Sequence, residues 1–388
     1  MDDVAIAGAG PAGALAATIL SRAGLRVRIF ERAKFPRHKL CGDTLNPGAL
    51  AVLRRHADVA SLIEQSDPIY GMQLSGPGGV RVRGEYGGGV AGRAITRAVL
   101  DRWLLDRAID AGAEVEEEVA IRDVAIAEGR VGGVVTSGRD GRTLTHPARM
   151  VIAADGRRSA IAIGRGLSRQ PQRPRRWAIG AYYTGVTGGT SLGEMHVRRG
   201  HYIGVAPVPG GLTNACLVVP HPPSRGRFGG TSQRGEVPLA KPAEALDRYV
   251  KADPELAERF ATARAVTAAV MLGPMAVEAI AAGEPGLLLA GDAAGFIDPM
   301  TGDGMRLALV GAELAAAVVQ ETLSGAMSID RAHLELAARR KAAFQMKWRF
   351  NRALRWLVSS PASVNAAAVT AAVLPSMFAR MIRYAGDC

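Results

Sequence analysis

The run Gly8-Ala9-Gly10-Pro11-Ala12-Gly13, with Glu31 standing 18 positions after its last glycine, has the residue types and spacing that hold a dinucleotide. Gly8 permits a tight turn, Gly10 lets a pyrophosphate approach the backbone, and Gly13 lets a helix pack closely on a strand. Pro11 falls where a first helical turn needs no N–H donor, and at Ala12 the free N–H groups of that turn face an anion. Glu31, followed by Arg32, is placed to accept hydrogen bonds from ribose hydroxyls. Far along the chain, Gly291-Asp292-Ala293-Ala294-Gly295 continues through Pro299 to Gly302-Asp303-Gly304-Met305. A carboxylate such as Asp292, at the carboxyl end of a buried strand, can bind a polyol. The N–H groups of a helix opening at Met305 can stabilise negative charge. One thiol, Cys41 with Gly42 beside it, lies in a polar loop between these regions.

The elements around these residues support that reading. Val4–Ala7 is a short apolar run expected as a buried strand, Ala14 to Ala23 an Ala-rich helix stopped by Gly24, and Leu25 to Phe30 a second strand. Met150–Ala153 is a strand leading into the turn at Asp155-Gly156, and Leu287–Ala290 is a strand leading into Asp292. Arg97 opens a helix reaching about Ala111, and a long helix is expected from Met305 to about Leu323. A second formal glycine match, Gly87 to Gly92, has neither a preceding apolar strand nor a following acid and is read as a loop.

Charge and composition exclude several classes. The net charge of +12 comes from 48 basic against 36 acidic residues, and only six of the 48 are lysine. Arginine in that excess, together with abundant Ala and Gly, reads as compositional bias rather than a nucleic-acid footprint. Three scattered cysteines offer no disulfide framework or zinc module, and seven histidines without helical pairing leave no metal site. A reduced, cytoplasmic protein is expected. The uncharged stretch between Arg355 and Arg380 is too interrupted to span a membrane. Its 356–379 segment is expected as a helical flap over an apolar pocket or a surface-lying segment, which allows peripheral membrane contact. No obligate protein partner is evident.

Three separated motifs then resemble the FAD-dependent oxidoreductases of the p-hydroxybenzoate hydroxylase fold, which include monooxygenases, geranylgeranyl reductases and halogenases. They are the opening glycine turn with Glu31, Ala154-Asp155-Gly156-Arg157-Arg158-Ser159, and the Gly291–Met305 stretch. The resemblance implies an α/β protein with a Rossmann-like FAD-binding domain, an antiparallel β-sheet substrate domain and C-terminal helices. The FAD domain is expected to be discontinuous (1–75, 93–170 and 270–325), with 76–92 and 171–269 forming the substrate sheet and 326–388 a helical closing segment. The family's Arg at the place of Arg97 contacts the FAD pyrophosphate, its Asp at the place of Asp292 holds the ribityl chain, and Asp155 and Gly156 lie near the flavin. Without a second dinucleotide turn, NAD(P)H would have to dock transiently, or a partner reductase would supply electrons.

The loop containing Cys41-Gly42-Asp43 is similar to the Cys-Gly loop of geranylgeranyl reductase-like proteins, although those commonly carry Cys-Gly-Gly. Cys41 is read as a proton donor, a pocket-shaping residue or a buried structural thiol. No Lys occurs between Lys39 and Lys241 and no two Trp fall two apart, which disfavours a halogenase. Tyr202-Ile203-Gly204-Val205-Ala206-Pro207 replaces the aromatic-rich pattern of the true reductases. A monooxygenase acting through oxygen activated at flavin C4a on a small apolar substrate is therefore favoured. Reduction of an isoprenoid or polyketide double bond is the alternative, and a non-catalytic flavin binder comes behind both. His196, His201 and Tyr202 are the expected polar substrate contacts.

Overall fold

The computed structural model describes residues 1–137, 141–172, 176–220, 241–297, 300, 302–357 and 375–388. In chain order the first elements are β1 (Asp2–Ala7), α1 (Pro11–Arg22), β2 (Val27–Glu31), α2 (Pro47–His56), β3 (Gly71–Ser75), β4 (Arg81–Glu85) and α3 (Arg97–Asp110). There follow β5 (Glu114–Glu117), β6 (Ala120–Ala127), β7 (Arg130–Ser137), β8 (Thr143–Ala153), β9 (Trp177–Thr184), β10 (Gly193–Arg198), β11 (His201–Val208) and β12 (Leu212–Val219). The chain closes with α4 (Pro242–Ala252), β13 (Val270–Leu272), β14 (Leu287–Leu289), α5 (Gly304–Leu323), α6 (Ala332–Leu357) and α7 (Pro375–Gly386).

The apolar runs read as strands become the parallel centre of one sheet, ordered β14-β8-β1-β2-β5. Val4 pairs with Met150 on one side and Val27 on the other, and Ile152 pairs with Leu288. Such strands are apolar on both faces because both faces are covered. Small residues of α1 (Ala12, Ala16, Ala17) and α5 (Ala312, Ala315, Ala316) share one core there. The hairpin β6–β7, not anticipated from sequence, pairs antiparallel with the outer half of β8.

The second sheet runs β9-β12-β11-β10-β3-β4, antiparallel except for the β3–β10 pair, with β13 added beside β9. Two expected boundaries move accordingly. Gly71–Ser75 and Val270–Leu272 pair into this roof sheet rather than the dinucleotide sheet. Both are short strands whose sequence carries no mark of which sheet edge they complete. Alternation divides the roof into two faces. Ile179, Ala181, Ile203, Val205 and Leu217 pack outward against Ala245, Leu246 and Val250 of α4. Ala178, Gly204, Ala206, Asn214 and Cys216 line the space between the sheets. Most of the expected 356–379 flap lies outside the described residues.

Candidate active site

The three motifs meet through backbone contact. A Cβ placed on Gly8, whose φ is +91°, would lie 2.7 Å from the Ala154 carbonyl oxygen, and one on Gly13 would lie 1.9 Å from that of Gly8. One on Gly291 would sit 3.0 Å from the Ala12 Cβ. Gly10, the N-cap of α1, differs: its nearest neighbour would be the Arg37 guanidinium at 3.7 Å, so the room beside it is open to a ligand. Pro11 occupies the first helical position as expected. Glu31 is buried and accepts one backbone N–H on each oxygen, from Ala9 and Ala33, both at 3.0 Å. Each oxygen keeps a lone pair for a ribose hydroxyl. Arg32 is exposed beyond it.

Positive charge converges on the same wall. Arg97 lines the cavity, but its fork closes on Asp101 with two bonds of 2.7 Å. Arg37, on the other side of Asp101 at 3.0 Å, is the cation nearest Gly10. Lys39 also lines the cavity, facing Gly156. Burial first, then the charge of Arg97, bring its ammonium down to about 8. Arg37 and Lys39 belong to the basic run Arg37-His38-Lys39, expected from sequence as a cluster near the cofactor diphosphate, and the tertiary contacts pick these two out of the three.

The other motif residues divide by direction. Gly156, with φ +86°, lines the cavity, whereas the Asp155 carboxylate turns back to cap the amide of Ala160 at 2.9 Å. Asp155 is thus placed as a turn residue, not a cavity contact. Asp292 reaches the cavity, with the Arg157 guanidinium 3.7 Å away. Gly302, Gly304 and Met305 bring the N-terminus of α5 to the cavity edge. Asp303 behind them is buried and accepts the Asn46 amide at 3.2 Å. Pro299 lies outside the described residues.

Beyond this wall the cavity is lined by Leu40, Met72, Met195, Leu272, Met275 and Ile382. Cys41 and Gly42 stand at the junction of the two regions. Burial pushes the Cys41 thiol up, against the opposing charge of Arg97. A second thiol, Cys216, faces the same space and is pushed up to about 12 by burial. Strand alternation of 214, 216, 204 and 206 is the signal that would have found it.

The three expected substrate contacts are corrected. His196 is buried on the outward side of β10, bonded to Ser75 at 2.9 Å and Glu194 at 3.0 Å. His201 packs edge-on against Tyr249 of α4, ring centroids 4.6 Å apart. Tyr202 shares the inward face and clusters with Met195, Val197, Val218 and Met275, but is not itself among the residues lining the cavity. Polar residues on a two-faced sheet serve its outer layer as readily as its ligand face, and only pairing register tells them apart.

The open cradle at Gly10, the lone pairs of Glu31 and the cations beside them suit FAD. Comparison with known proteins agrees. The chain is 33% identical over 328 residues to digeranylgeranylglycerophospholipid reductase 1 of Methanopyrus kandleri, covering 83% of this chain and 81% of that one. Its fold matches the geranylgeranyl bacteriochlorophyll reductase-like protein of Thermoplasma acidophilum (TM-score 0.77, 23% identity, 94% and 90% of the two chains). It also matches the flavin-dependent brominase Bmp2 (TM-score 0.83, 18% identity, 100% and 94%). The family model described as FAD binding domain matches residues 1–346. A match over that span, together with three motifs that touch in space, means that the chain belongs to the FAD binding domain family, as an FAD-dependent oxidoreductase.

Proposed function

We propose that this protein is a flavin-dependent reductase that saturates a carbon–carbon double bond in a long apolar substrate of isoprenoid type. The observation that carries this is the cavity wall beyond the cofactor motifs: mostly thioethers and aliphatic side chains, with Tyr86 and Phe296 beside them, no histidine among the described lining residues and a thiol, Cys41, where the two regions meet. Methionine-rich walls adapt to flexible apolar chains. The Methanopyrus kandleri relative, a reductase of a geranylgeranyl lipid by name, supports the same reading.

In this reading Gly10, Pro11 and Ala12 with the first turn of α1 bind the FAD diphosphate, assisted by Arg37 and Lys39. Glu31 holds the ribose, Asp292 the ribityl chain, and the N-terminus of α5 at Gly302, Gly304 and Met305 faces the pyrimidine edge. Bound and reduced, FAD supplies a hydride. The roof excludes water and orients the alkene, and the Cys41 thiol, held protonated by burial, carries a proton at the cavity surface. Electrons come from NAD(P)H docked transiently or from a partner reductase.

One observation favours a second reading, oxygen insertion into a bulkier ring. Gly204 and Ala206 stand on the inner face where the reductase pattern has aromatics, and a Cβ on Gly204 would meet nothing closer than 3.8 Å. Anaerobic mixing of the reduced protein with a geranylgeranyl lipid separates the two. Flavin reoxidation with a product heavier by one pair of hydrogens is expected. Reoxidation by oxygen alone, with an oxygen atom in the product, would replace the reductase by the monooxygenase.

A further inference from the structure

Asp43 is a buried acid that the cofactor motifs do not use. It is 2% exposed, and its φ of +53° lies where glycine is at ease and a side chain is strained. That explains why glycine suits this place in similar Cys-Gly-Gly loops. It also means that the carboxyl is kept at a conformational cost.

Its surroundings are those of a neutral acid. Oδ2 accepts the Tyr182 hydroxyl at 2.5 Å and the Asn214 amide at 2.6 Å. The same amide donates to the Cys41 carbonyl oxygen at 2.7 Å, tying the acid to the thiol's own backbone. Oδ1 has no hydrogen-bond partner among the described residues. Arg97, the cation whose charge is felt at Asp43, is committed to Asp101 by both arms of its fork. The Arg97 backbone N–H also lies against the carboxyl, yet with both side-chain donors on Oδ2 and no hydrogen bond formed to Oδ1, burial outweighs this compensation and the bare oxygen is the seat of a proton.

We propose that Asp43 is the proton store of the cavity, the buried acid that reprotonates Cys41 after the thiol has given its proton to substrate. This rests on the reductase reading above. Saturating a double bond takes a hydride, drawn from the reduced cofactor and leaving it oxidised, and a proton. The S–H bond of Cys41 breaks as a C–H bond forms, the thiolate takes the proton of Asp43, and the Asp43 carboxylate is refilled from solvent through the Tyr182 hydroxyl. Tyr182 lies on the inner face of β9 beside Ile69, Ala94 and Val208, and it is only half-buried, so part of its ring reaches water. Asn214 donates only N–H here and holds the geometry. Burial sets the order of acidities: Asp43 is lifted to about 7 and the Cys41 thiol above its ordinary value, so transfer from acid to thiolate runs downhill. The titratable groups facing Asp43 are Arg97, Tyr182, Cys41 and Cys216.

The first test uses protein without FAD or substrate, in a Cys216→Ser, Cys388→Ser background that leaves Cys41 as the one thiol. The rate of its alkylation by iodoacetamide is followed from about pH 5 to about pH 10. A step near pH 7 is expected below the thiol's own titration. In Asp43→Asn the step disappears and the remaining titration moves to lower pH, because a negative neighbour no longer opposes the thiolate. With the native cysteines, Asp43→Asn slows alkene reduction about 100-fold, in kcat rather than KM. Asp43→Gly gives the same loss with a Tm equal to or above the parent's, which separates proton supply from misfolding. Superimposable alkylation profiles overturn the proposal while leaving the reductase reading intact, as does a profile that changes while turnover does not. A parent protein that shows the step but reduces no alkene overturns the reductase reading, and the thiol's role as donor with it.

Discussion

Gly13 packs behind the cofactor wall of the cavity, and Gly204 stands on the roof that lines its other side. A Cβ on Gly13 would lie 1.9 Å from a backbone oxygen, and one on Gly204 would have its nearest neighbour at 3.8 Å. The first glycine is required by what the chain does to itself, since helix α1 crosses the turn after β1 too closely for any side chain. The second leaves room for something else. The cofactor wall is held by close backbone contacts at Gly8 and Gly13 that leave no room for a side chain, and the roof by side chains alternating on strands, whose inner face can vary without disturbing its outer core. A family can therefore keep one cofactor and exchange its substrates.

Substitutions that attack each wall should separate these roles. Gly13→Val is expected to do the most harm, costing about 3 kcal/mol or more through overpacking and abolishing retention of FAD. Flavin absorbance of the purified protein and its Tm measure this. Glu31→Ala removes the acceptor shared by Ala9 and Ala33, and should weaken FAD binding about 10- to 100-fold, read by titrating FAD into the apoprotein. Gly204→Trp probes the other wall. It should leave FAD affinity unchanged and raise KM for a bulky substrate roughly tenfold, and an equal loss of FAD would erase the distinction between the walls.

Two smaller effects sharpen the contrast. Lys39 is protonated below about 8 and neutral above it, so FAD affinity should fall a few-fold as pH rises through that value. Lys39→Met should flatten the dependence, as isothermal titration at several pH values would reveal. His196→Ala, on the outer face, should lower stability by about 1–3 kcal/mol, because Ser75 and Glu194 lose a buried partner. Turnover at a temperature where the variant stays folded should not change.

Much of the cofactor wall was legible because its signals are local. A buried strand, a glycine turn, a helix and an acid at fixed spacing leave little freedom, and Gly8, Gly10, Pro11, Gly13 and Glu31 stand where that order puts them. Asp292 and the N-terminus of α5 follow the same logic. Asp155 shows where it weakens, because an Asp-Gly turn looks the same whether its carboxylate faces a ligand or caps the next helix. The roof was legible as strands but not as a surface. His196, His201 and Tyr202 were chosen for polarity, whereas Cys216 and Asn214 reach the cavity by register.

The amino-acid sequence alone settled that this chain carries a Rossmann-like dinucleotide unit of α/β class, because such a turn is specified by neighbours within one strand–helix–strand unit, and the resemblance of three motifs to a known family implied that the dinucleotide is FAD. Tertiary structure alone decided that Arg97 spends its charge on Asp101, that Arg37 stands beside Gly10, and that Asp43 lies under Tyr182 and Asn214 from two strands, each more than a hundred residues away. Electrostatics and burial depend on distances between segments that the order of residues does not contain. The chemistry of the cavity therefore had to await the fold that closes it.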